Sequence, residues 1–94
     1  MSATITESSG NVFADLGFEP AEAVILEMRA RLLSDLREYI QSSGMTPTEA
    51  AKKLKIGQTR LSDLTRGRWE EFSLEMLITL AARVGCKVRL ELAA

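Results

Sequence analysis

Histidine is absent from this sequence, and cysteine occurs once, at Cys86. Without those ligands the chain cannot assemble a His/Cys zinc site, a Cys–His nucleophile pair or a Ser–His–Asp triad. A single thiol forms no intramolecular disulfide, which suits a reducing compartment, and Cys86 reads as a small buried hydrophobe rather than a redox sensor. Aromatic residues are scarce, at 5% of the chain. No run of about 18 apolar residues occurs, and no basic region leads into an apolar stretch at the start. Neither a membrane span nor a secretory signal is expected, and the expected location is cytoplasmic.

The chain's 94 residues, 46% of them hydrophobic, suffice for one small core. Thirteen carboxylates could in principle serve acid–base chemistry, but a domain of this size has little room for a pocket beside its core. No enzyme, no metal and no cofactor is expected.

The net charge of −1 hides an uneven distribution. Residues 1–44 carry Arg29, Arg31 and Arg37 against Glu7, Asp15, Glu19, Glu22, Glu27, Asp35 and Glu38, a net of −4. Residues 45–68 reverse the sign, with Lys52, Lys53, Lys55, Arg60, Arg66 and Arg68 against Glu49 and Asp63, a net of +4. A local basic surface on an acidic protein favours an anionic partner at one face; a solvated, lysine-rich helix face is the plainer alternative.

Punctuation along the chain predicts its elements. Residues 1–18 read as an N-terminal arm, in which Val12, Phe13, Leu16 and Phe18 form an apolar cluster that must pack on the core or on a partner. Residues 19–94 form the domain proper. Pro20 suits a first helical position, and no glycine or proline interrupts the chain up to Ser42. Ile25, Met28, Leu32, Leu36, Tyr39 and Ile40 make a stripe at helical spacing, either core or dimer surface. Thr46, Pro47 and Glu49 form a capping box that opens a helix to Leu54, with Ala50, Ala51 and Leu54 inward. After Gly57 the period resumes from Gln58 to Arg66, with Leu61 and Leu64 inward. Ser73 caps a further helix, Leu74 to Val84, with Leu77, Ile78 and Ala81 inward, stopped by Gly85. Then the period falls to two: Cys86, Val88, Leu90 and Leu92 alternate with Lys87, Arg89 and Glu91, the pattern of a half-buried strand.

Two short helices joined by Lys55, Ile56 and Gly57 constitute a helix-turn-helix pattern. Small Ala50 and Ala51 permit a close crossing, and Leu54, Leu61 and Leu64 pack it. The second helix would enter a DNA major groove, with Gln58, Thr59, Arg60, Ser62 and Asp63 as base-reading candidates. Thr46, Lys53, Lys55, Arg66 and Arg68 are candidates for phosphate contact.

The stretches MTPTEAAKKLKIGQTRLSDLTRGR and FSLEMLITLAARVGCKVRLEL, with NVFADLGFEPAEA before them, resemble the Xre/Cro-like helix-turn-helix family, and within it the HigA-type antitoxin branch. The resemblance spans residues 11–92. It implies an all-α, lambda-repressor-like bundle that dimerises, represses its own operon and neutralises an RNase-type toxin of the HigB kind. Three positions depart from the family pattern: Lys55 stands where glycine is usual in the turn, Gly57 replaces the usual Ser or Thr cap, and Asp63 lies on the groove side where Arg or Gln is common.

A lone strand leaves its backbone groups unpaired. The sequence therefore predicts that the strand from Lys87 to Leu92 pairs with its copy in a homodimer through Val88, Leu90 and Leu92, unless the TIT run at Thr4 to Thr6 serves as the partner. Such a dimer would place two recognition helices about 34 Å apart on a palindromic double-stranded DNA operator. Val12, Phe13, Leu16 and Phe18 would contact the toxin. A protein-interaction module without significant DNA binding, and a stand-alone phage-type regulator, are the alternatives.

Overall fold

The computed structural model describes residues 12–89 and 91–92. Among these residues five α-helices follow one another: α1 (Val12–Asp15), α2 (Pro20–Ser43), α3 (Pro47–Leu54), α4 (Gln58–Thr65) and α5 (Leu74–Arg83), with a 3-10 turn at Trp69–Glu71 between α4 and α5. Each boundary has a local cause. The Glu19 carboxylate accepts from the Glu22 amide at 3.0 Å and Pro20 opens α2, while left-handed Gly44 closes it (φ 79°). The capping box of α3 is complete: the Thr46 hydroxyl accepts from the Glu49 amide at 3.2 Å, and the Glu49 carboxylate accepts from the Thr46 amide at 2.9 Å. Ser73 caps α5 by accepting from the Met76 amide at 3.0 Å.

The core lies where α2, α3, α4 and α5 meet. Leu54, Leu64, Phe72, Leu77 and Leu80 are its largest fully buried side chains, joined by Leu33, Leu36, Ile40, Leu61 and Val84. Ala50 and Ala51 are buried in the α3–α4 crossing, as their size requires.

Two expectations are corrected, and the α2 stripe, read as core or dimer surface, divides between a buried and an exposed part. On α2 the buried line is Ala23, Leu26, Leu33, Leu36 and Ile40, whereas Ile25, Met28 and Tyr39 are exposed. α2 is apolar on two adjoining faces, and only the packing partners decide which goes inward. On α5 the fully buried residue beside Leu77 and Ala81 is Leu80, and Ile78 is half-buried. Finally, the C-terminal strand is not formed among the described residues: 86–89 and 91–92 have no regular structure. A ladder needs a second strand, and the described chain supplies none. Instead the Cys86 amide donates to the Ala81 carbonyl at 2.9 Å, and residues 86–89 run beside α2 and α5. Val88 is half-buried there, Leu92 is fully exposed, and Leu90 and the TIT run lie outside the described residues.

The apolar cluster of residues 12–18 is partly accounted for by the domain itself. The Phe13 ring meets Trp69 edge-on at 5.2 Å between centroids and Phe18 at 6.2 Å. Val12, Leu16 and Phe18 remain exposed.

Candidate nucleic-acid interface

The turn between α3 and α4 is set by Lys55, the only non-glycine residue with positive φ among the described residues (φ 59°). In that left-handed conformation its amide donates to the Lys52 carbonyl and the Ile56 amide to the Ala51 carbonyl, at 3.2 and 3.1 Å. The reversal lets Leu61 and Leu64 reach the core on which Leu54 packs. A lysine here costs on the order of 1 kcal/mol relative to glycine. Gly57 caps α4 without a side-chain bond, at a cost of a few tenths of a kcal/mol relative to serine or threonine.

With Leu61 and Leu64 inward, helical spacing puts Thr59, Ser62, Asp63 and Arg66 on the opposite side of α4, and Gln58 at its first turn. Gln58, Thr59 and Arg66 are exposed, and Ser62 and Asp63 half-buried. Among the described residues none of these five side chains is held by another group. Asp63 forms no ion pair with Arg60 or Arg66; the one ion pair among the described residues is Glu27–Arg31 on α2, at 3.8 Å.

Arg60 stands apart from this set. Its Nη1 donates to the Glu71 carbonyl at 2.7 Å, and its guanidinium lies over the Phe72 ring at 5.2 Å. It ties α4 to the 3-10 turn. Other arginines do similar work that the sequence did not announce. Arg29 of α2 donates to the carbonyls of Phe72 (2.9 Å), Glu70 (3.2 Å) and Trp69 (3.4 Å) and lies over the Trp69 ring. Arg83 donates to the Leu54 carbonyl at 2.9 Å. Carbonyl acceptors belong to the backbone, so residue identity alone carries no signal for them.

Of the phosphate candidates, Lys53, Lys55, Arg66 and Arg68 are exposed cations. Thr46 is exposed too, but its hydroxyl and amide are both engaged with Glu49. The Thr48 amide is the next free donor at that helix end.

A second surface lies away from α4. Met28, Leu32, Leu36 and Tyr39 of α2, Leu74 and Ile78 of α5, and Cys86 and Val88 line an open apolar groove of about 520 Å³. Glu27, Arg31, Asp35, Lys87 and Arg89 form its charged rim. The Tyr39 hydroxyl donates to the Val84 carbonyl at 3.3 Å at one end of the α2–α5 contact.

No described helix is long and apolar enough to cross a membrane, and no cluster of three metal-binding side chains occurs among the described residues. This architecture is that of a helix-turn-helix domain. Residues 12–93 match a family model described as a helix-turn-helix domain, and the chain belongs to that family of DNA-binding proteins. Comparison with curated proteins found no match.

Proposed function

We propose that this protein is a sequence-specific transcriptional repressor of the Xre type, the autoregulating antitoxin of a HigB/HigA-type pair. The observation that carries the DNA-binding part is the contrast on α4. Arg60 is held by the fold, while Gln58, Thr59, Ser62, Asp63 and Arg66 are engaged by no other group among the described residues. Base reading then falls chiefly to Gln58, suited to an adenine edge, and Thr59, suited to a thymine methyl. Asp63 accepts from a cytosine amino group. Lys53, Lys55, Arg66, Arg68 and the amide end of α3 beyond Thr46 contact phosphate. Repression is steric and needs no catalysis.

A homodimer on a palindromic operator fits this reading, with the exposed α2 stripe of Ile25, Met28 and Tyr39 as the surface that two copies would share. The apolar residues Val12, Leu16 and Phe18 extend the surface open to a toxin, whereas Phe13 is committed to Trp69. The same exposed apolar area favours the second reading, a protein-interaction module that neutralises a toxin without significant DNA binding.

The deciding experiment is a titration of the gene's own upstream DNA and a scrambled duplex of equal length. Preference for the upstream duplex is expected. Equal, weak binding to both would leave the interaction module. Co-expression with the neighbouring reading frame tests the antitoxin role, and a neighbour that is neither toxic nor co-purified would leave a stand-alone regulator.

A further inference from the structure

α2 carries two half-buried arginines in opposite situations. Arg29 has three backbone carbonyls within hydrogen-bond reach. Arg37 has none among the described residues: its Nε is buried without an acceptor, and no carboxylate pairs with it. Nε is enclosed by the protein, while the outward Nη groups have no acceptor among the described residues and are left open to an anion.

The position of Arg37 says where that anion comes from. The guanidinium lies against Gly67: a β-carbon there would sit 3.1 Å from Nη1 and 3.6 Å from Cζ of Arg37. Gly67, with φ +78°, terminates α4, and its neighbours Arg66 and Arg68 are exposed cations with no partner among the described residues. The glycine therefore does two things: it turns the chain, and it leaves space for the α2 guanidinium on the turn that bears two more positive charges. A guanidinium lying on a turn whose two flanking residues are exposed cations makes the local potential positive and favours an anion there.

We infer that Arg37, lying on Gly67 between Arg66 and Arg68, forms a phosphate site, and that its physiological occupant is a backbone phosphodiester of the DNA bound by α4. The inference rests on the DNA-binding reading and adds to it a contact from α2, a helix the recognition motif does not include. The ligand is a tetrahedral oxyanion, accepted by the outward Nη atoms of Arg37 and by the flanking cations.

The test uses Arg37→Gln, which removes the charge, and Gly67→Ala, which keeps every charge, pushes a methyl group against Nη1 and strains the left-handed turn, so that thermal melting first establishes that the variant is folded. Each is compared with wild type by salt-dependent titration of the upstream and scrambled duplexes. Arg37→Gln should weaken both duplexes about fivefold near 0.15 M salt and reduce the magnitude of the log–log salt slope by about 1. Gly67→Ala should move in the same direction, and Arg37→Lys should retain the slope. In a parallel arm without DNA, inorganic phosphate at matched ionic strength should raise the melting temperature of wild type above its value in chloride, and not that of Arg37→Gln. If wild type binds DNA and both variants keep its slope, the site is overturned while the DNA-binding reading stands. If wild type binds neither duplex, the DNA-binding reading fails, and with it the phosphodiester occupant; the phosphate arm then shows whether an anion site exists at all.

Discussion

The Arg83 guanidinium, on the last residue of α5, donates to the carbonyl of Leu54, the last residue of α3. The end of one helix thereby caps the end of another, satisfying a carbonyl the helix itself leaves unpaired and placing a positive charge at the negative end of the α3 dipole. Arg83→Met keeps much of the stem and deletes the donor. A loss of about 1 to 2 kcal/mol is expected, read as a lower urea midpoint with unchanged slope. An unchanged midpoint would mean that water replaces the guanidinium at no cost.

Arg60→Ala separates structure from readout. Losing the Glu71 carbonyl bond and the Phe72 contact should cost about 1 to 2 kcal/mol of stability, while the preference for upstream over scrambled DNA persists. A variant of wild-type stability that has lost base preference would instead place Arg60 in the groove.

Thr59→Ala and Gln58→Ala should each cost about 1 to 3 kcal/mol on the operator and little on random DNA. Arg66→Ala and Arg68→Ala should weaken both duplexes alike. Competition titrations distinguish the two behaviours, and equal losses across all four variants on both duplexes would remove base reading from the first turn of α4.

Lys55→Gly should have effects of opposite sign. Relief of the left-handed conformation raises stability by up to about 1 kcal/mol, and removal of an exposed cation weakens DNA binding. Thermal melts and duplex titrations on one preparation check both, and a variant no more stable than wild type would show that the turn is unstrained.

Much of the fold was legible because its boundaries are marked chemically. Pro20, the Thr46–Glu49 box, Ser73 and Gly44 each impose a backbone state that needs no tertiary partner. The inward face of α2 was not legible in the same way, because Val24, Ile25 and Leu26 are consecutive apolar residues and either side of the helix could be buried. The alternation after Gly85 has the period of a strand, yet period decides only which side chains share a face; the ladder depends on a partner that the pattern cannot supply. At the candidate interface, residue types pointed to α4 but could not show that Arg60 is tied to a carbonyl, or that Arg37 reaches Gly67 from thirty positions away.

Trp69 is the only tryptophan in the chain, and it sits where α1, Arg29 and the α4–α5 connection meet, with the Phe13 ring on one side and a guanidinium over its own ring. An indole so placed is an intrinsic optical reporter. Its emission should shift when α1 leaves the body of the domain and should be sensitive to changes at Arg29. Unlabelled protein can therefore report, in real time and at micromolar concentration, whether a partner that engages Val12, Leu16 and Phe18 peels the N-terminal helix away or binds it in place.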